Sequence, residues 1–161
     1  MKFTWFNLMP WPYMPDDFRE KHRSVWVDID QRLFDPVKAH DVYNGYMDLL
    51  EYADTLGFDG IGVNEHHQNG YGIMPSPNII AAGLARRTSK AALVVLGNSI
   101  ALYNPAIRVA EEFAMLDCIS GGPRSSLSLD VAAAGALAVA GLRPDARRRA
   151  DPRLRSRRLP A

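Results

Sequence analysis

At 161 residues, with a formal net charge of +1, 47% hydrophobic and 23% charged residues, the chain has the composition of a single water-soluble globular domain. No apolar stretch approaches the roughly 20 residues that span a bilayer, and the lone Cys118 excludes an internal disulfide, so a reducing cytoplasm is the expected compartment. The length also falls short of the roughly 250 residues of a complete eight-stranded α/β barrel.

The opening run Met1 to Leu8 lacks the apolar core and small-residue cleavage site of a signal peptide and reads as a first strand. Met9 to His40 follows, rich in Trp, Tyr and Pro. A segment of that length after a strand is either a lid or pocket wall, or a surface excursion whose tryptophans pack on their own loop. From Asp41 to Gly57 the apolar residues Val42, Tyr46, Leu49, Leu50, Ala53 and Leu56 recur at helical spacing, with Asp48, Glu51 and Asp54 on the opposite face. Asp41 suits the N-cap and Gly57 a left-handed stop.

Phe58 to Val63 is apolar on both faces apart from Asp59, as expected of a strand covered on both sides in a parallel sheet. It delivers Glu65, His66 and His67 at its C-terminal end, where parallel α/β proteins place their chemistry. Ser76-Pro77 opens a second helix running to Arg87, with serine as cap and proline at the first helical position. Ala92 to Ile100 reads as a third strand. Asn104-Pro105 repeats the cap-and-proline device before a helix with Val109, Ala110, Phe113 and Leu116 inward and Arg108, Glu111 and Glu112 outward. Cys118 lies in this helical pattern and reads as a small core residue. The strand–helix alternation predicts three right-handed βα units on a parallel sheet.

Composition changes after Gly122. Residues before Pro123 hold ten basic and fifteen acidic groups, whereas Pro123 to Ala161 hold nine Arg and three Asp and no Lys, Glu or aromatic residue. Residues 123–161 therefore read as a low-complexity Arg/Ala/Pro-rich tail, either disordered or translated from GC-rich DNA in a shifted frame. The rival is a basic arm for nucleic acid, disfavoured because it lacks Lys and carries the twelve-residue apolar block Val131 to Leu142.

Glutamate beside two histidines invites a metal reading, but there is no His-Glu-x-x-His spacing and no Cys pair, so no metal site is assigned. Neither a Gly-x-Ser-x-Gly elbow nor a Gly-x-Gly-x-x-Gly turn is present, which counts against a serine hydrolase and a Rossmann domain. One imidazole can also be read simply as a cap or a partner for a backbone carbonyl.

Several motifs occur together over residues 1–122: Gly57-Phe58-Asp59, Glu65-His66-His67, Arg108-x-x-Glu111 and Leu116-Asp117-x-x-Ser120-Gly121-Gly122. With Trp26-Val27-Asp28 and Leu33-Phe34-Asp35-Pro36, this combination resembles the luciferase-like flavin-dependent monooxygenases. The resemblance implies a (β/α)8 barrel, of which this chain carries the first three βα units. It implies reduced flavin mononucleotide (FMN) or a deazaflavin as cofactor, molecular oxygen as co-substrate and a small organic substrate that receives one oxygen atom. A flavin reductase and a second copy of the chain are the implied partners. By position His66 matches the catalytic histidine beside the flavin, able to exchange a proton near neutral pH. Glu65 and His67 would orient it, and Gly97-Asn98 would lie against the flavin ring, where relatives place a non-proline cis peptide. Three strands cannot close a barrel, so an incomplete enzyme of doubtful activity is expected, with a non-catalytic fragment associating through its helices as the alternative.

Overall fold

The computed structural model describes residues 1–26, 29–99, 102–121 and 128–129. Four parallel strands lie in the order β1 (Thr4–Phe6), β2 (Gly60–Asn64), β3 (Ala92–Leu96) and β4 (Ser128–Leu129). Trp5 pairs with Ile61, Gly62 with Val94, and Val94 with Ser128. A short helix α1 (Phe18–Lys21) interrupts the long first connection, and α2 (Pro36–Thr55), α3 (Pro77–Arg87) and α4 (Ile107–Ser120) alternate with the strands. The strand at Ser128–Leu129 is a fourth where three were expected, and it falls inside the segment read as a tail. Its signal is the period-2 run Ser126-Leu127-Ser128-Leu129, easily passed over beside the Arg-rich composition. Otherwise the residues assigned to the tail lie outside those described.

The core lies between one sheet face and the helices. Ile61, Val63, Leu93 and Val95 are fully buried against Leu50, Ile80, Leu84, Val109 and Phe113. Each such side chain contributes about 1.5–3 kcal/mol. On the other face Phe6 and Leu96 remain 44% and 36% exposed. Burial along β2 is nevertheless complete, because the Thr4 and Phe6 side chains lie over Gly60 and Gly62.

Several boundaries differ from the sequence expectation. Helix α2 starts at Pro36, and Asp35 rather than Asp41 is its cap, accepting from the Val37 and Lys38 N–H groups at 2.9 and 3.3 Å. Both aspartates satisfy the local cap rule, but Asp35 is followed by the proline that starts the helix. Gly57 does take the left-handed stop, at φ +85°. Helix α3 spans Pro77–Arg87 as expected, although the Ser76 side chain makes no capping bond. Asn104-Pro105 does not cap α4: that peptide is cis and the helix begins at Ile107. Strand β3 ends at Leu96, four residues before the expected Ile100, which is itself outside the described residues. Cys118 is exposed, on the solvent side of α4.

Asp54, expected on the outer face of α2, is 5% exposed. Its carboxylate accepts the N–H groups of Ser89, Lys90 and Ala91 at 3.0, 3.0 and 2.6 Å, which ties the end of α2 to the turn entering β3. Burial by itself would raise its pKa, but the Ala91, Ser89 and Lys90 hydrogen bonds together outweigh it and hold the carboxyl below its ordinary range. No helix among the described residues is long and apolar enough to cross a membrane.

Candidate active site

The C-terminal ends of β2 and β3 are register neighbours, with Asn64 opposite Leu96, so the segments leaving them run side by side. All five residues singled out from the sequence lie on these two segments. Glu65 has a side chain only 5% exposed; its carboxylate takes the Ser99 N–H at 2.7 Å and pairs with His67 Nε2 at 2.9 Å. His67 is about half exposed and folds back onto that carboxylate. His66 turns the other way, with Nδ1 2.5 Å from Asn64 Oδ1 and its backbone N–H donated to Met74 O at 2.9 Å. The two imidazoles therefore diverge.

Gly97 has φ +145°, and a Cβ there would sit 2.7 Å from Glu65 Cβ and 3.0 Å from Glu65 N. Only glycine lets the two segments approach this closely. Asn98 follows in the left-handed region at φ +66°. The expected cis peptide at Gly97-Asn98 is absent; two successive positive φ values make the turn instead. Asn98 is fully buried, and its side chain points into the protein: the amide donates to Asn78 Oδ1 at 2.6 Å and accepts the Tyr103 hydroxyl at 2.8 Å. Asn78 in turn donates to Glu112 Oε2 at 2.7 Å, so α3, α4 and the β3 loop share one polar network. Burial, then the charges of Glu65 and Glu112, push the Tyr103 phenol up from its ordinary value and keep it a donor.

The long segment after β1 is both wall and core. Trp11 is 5% exposed within the core, whereas Trp26 is 51% exposed and reaches the site. Its ring centroid lies 5.6 Å from that of His66 and 4.5 Å from that of Tyr71, and His66 and Tyr71 are 5.4 Å apart. None of the trio lines the cavity of about 670 Å³ whose walls are Trp11, Met14, Leu33, Phe34, Tyr43 and Ile73 together with polar residues. Gln68, Asn69 and Gly70, which continue the chain from His67, form one edge of it. Asp30, also on its wall, is held down at about 2 by side-chain hydrogen bonds from Arg32.

Asn64, Tyr71, Asn78 and Tyr103 were not read from the sequence as site residues. Asn64 did carry a signal, as the polar residue closing an apolar strand. Asn78 carried another, lying three residues before Ala81 on the inward stripe of α3.

A sequence profile of the luciferase-like monooxygenase family matches residues 24–152. The chain is 36% identical over 84 residues to an alkanal monooxygenase beta chain of Vibrio harveyi, covering 52% of this chain and 26% of that protein. It is 33% identical over 99 residues to the oxygenase component of a flavin-dependent trigonelline monooxygenase of Acinetobacter baylyi, covering 62% and 27%. Among solved structures, the oxygenating constituent of 3,6-diketocamphane monooxygenase of Pseudomonas putida, in complex with FMN, superposes with a TM-score of 0.55. At 18% identity, covering 81% of this chain and 29% of that one, it is similar in fold. The chain spans about a quarter of the length of these curated relatives.

Proposed function

The chain belongs to the luciferase-like monooxygenase family, and from that premise we propose that it forms the histidine-bearing part of a flavin-dependent monooxygenase site. The observation that carries the reading is the convergence of His66, Trp26 and Tyr71 at the C-terminal end of β2, with the ends of β2 and β3 locked together through Gly97, Glu65 and Ser99. The residues present fit the ring system of FMN, or of a deazaflavin: exposed aromatic faces beside an imidazole offer stacking and a proton-exchanging group. When bound, the reduced flavin supplies the electrons that activate molecular oxygen, from which the organic substrate receives one atom.

In this reading His66 takes or returns a proton at Nε2, the ring nitrogen with no hydrogen-bond partner among the described residues. Glu65 and His67 fix the loop that carries it, Gly97 lets the β3 end approach, and Asn98 shapes that end from below. The cavity edged by Gln68, Asn69 and Gly70, the residues that join His67 to Tyr71, has the mix of aromatic and polar walls that suits a small organic substrate. A flavin reductase is the natural partner, since a monooxygenase that begins from reduced flavin needs a supplier of it. The test is quenching of FMN fluorescence on titration with the chain. Saturable quenching is expected, weakened roughly 2–10-fold in Trp26→Ala by loss of about 0.5–1.5 kcal/mol of ring contact. Absence of saturable quenching up to a millimolar would refute flavin binding by this chain.

One observation favours a second reading, association of two copies without catalysis. Ile79 and Met115 are 71% and 62% exposed and, with Ile119, border an apolar groove between α3 and α4. A defined dimer on size-exclusion chromatography that ignores flavin would support it, and a monomer would remove it.

A further inference from the structure

The hydrogen bonds around Asn64 determine which nitrogen of His66 carries the proton. An amide side chain has one accepting and one donating end. Asn64 Nδ2 donates to the backbone carbonyl of Asn7 at 2.8 Å, so the donor end is committed to β1's outgoing segment. The carbonyl end, Oδ1, therefore faces His66 Nδ1 at 2.5 Å, and an acceptor there requires Nδ1 to be the donor. Asn64 is 2% exposed and its backbone is held in β2, so the amide cannot turn over without setting its buried Oδ1 against the Asn7 carbonyl oxygen and losing the hydrogen bond between them. The Asn7 side chain is occupied as well, accepting the Met9 N–H at 2.7 Å.

We propose that Asn64 is a positioning residue that holds neutral His66 as its Nδ1–H tautomer and leaves the Nε2 lone pair as the site's proton acceptor. This deepens the reading of His66 as the proton-exchanging residue and rests on it. A solvated histidine prefers the opposite tautomer, with the proton on Nε2, so the arrangement reverses the default. When a bound O–H or N–H acid gives its proton to Nε2, the acid becomes its conjugate anion and the ring an imidazolium. Asn64 Oδ1 continues to accept from Nδ1 throughout, so the ring does not have to turn during the transfer.

The test needs no flavin. Two-bond ¹H–¹⁵N correlation spectra of the full chain, taken at a pH where His66 is neutral, distinguish a pyrrole-type from a pyridine-type nitrogen at each ring position. The expected result is a pyrrole-type Nδ1 and a pyridine-type Nε2 for His66. Asn64→Leu, which removes both amide ends at similar volume, is expected to shift the population toward Nε2–H, and Asn64→Asp, which keeps an acceptor, to retain Nδ1–H. A wild-type ring protonated on Nε2 overturns the proposal even if neither variant folds; so does an unchanged tautomer in folded Asn64→Leu. Because the spectra are recorded without flavin, failure here leaves the flavin reading standing, and failure of FMN quenching leaves the tautomer assignment standing.

Discussion

Replacing Gly97 by alanine tests how tightly the two site-bearing segments are coupled. A Cβ at this position would stand 2.7 Å from Glu65 Cβ, about 1 Å inside the ordinary carbon–carbon contact of roughly 3.5–4.0 Å. The obstacle is the base of the Glu65 side chain and its backbone nitrogen, so no flexible side-chain end can swing away. The ends of β2 and β3 would have to separate, at about 1–3 kcal/mol for overpacking. The φ of +145° adds about 1–3 kcal/mol of backbone strain for any residue with a Cβ, giving roughly 2–6 kcal/mol in all. Gly57→Ala is the control: its φ is +85°, nothing lies within 4 Å of the added Cβ, and only about 1–2 kcal/mol of left-handed strain applies. Urea unfolding followed by fluorescence of the three tryptophans reads both variants. With slopes of about 1–3 kcal/mol per molar, Gly97→Ala should unfold at a midpoint lower than Gly57→Ala by roughly 1 M. Loss of a folded baseline in Gly97→Ala alone supports the same reasoning. Equal midpoints would refute it, because the contact with Glu65 would then cost nothing.

Asp54 makes stability depend on pH in a defined direction. Its folded pKa is depressed, so its contribution is fully present above the unfolded value of about 3.9 and is lost as pH falls through the folded value. Asp54→Asn should be less stable at neutral pH by about 1.5–3 kcal/mol and should flatten the acid limb of the stability–pH curve; an unchanged limb counts against the three N–H bonds. Asn78→Leu should strand the Asn98 amide and Glu112 inside the α3–α4 network, costing about 1–3 kcal/mol by urea unfolding, and a neutral effect would mean the network is already open to water.

What the sequence made legible was local. Gly57 as a stop and Pro77 at the start of α3 depend on neighbours a few residues away and lie where expected, and the apolar run locates β2, although the strand begins at Gly60 rather than Phe58. The placement of His66 at the end of β2 followed from the same strand pattern. Asp54 was misread because its three partners lie 35–37 residues further along, and helical periodicity by itself puts it outside. Trp26 meets His66 only through the fold, as does Asn98 its partner on α3. The choice between Asp35 and Asp41 as cap turned on Pro36, a cue overridden by the apolar spacing that begins at Val42. Cys118 is exposed because, at about 100° per residue, it lies roughly 140–160° around α4 from the inward Phe113 and Leu116.

The most direct test of the site is an anaerobic titration of the full chain with reduced FMN, followed through the His66 ring nitrogens, the Trp26 indole N–H and the Gly97 amide, with His22 and His40 as internal controls. Saturable shifts at His66, Trp26 and Gly97 that leave the two control histidines unmoved are the predicted result. No saturable shift, or shifts confined to the controls, would contradict a flavin site at the end of β2.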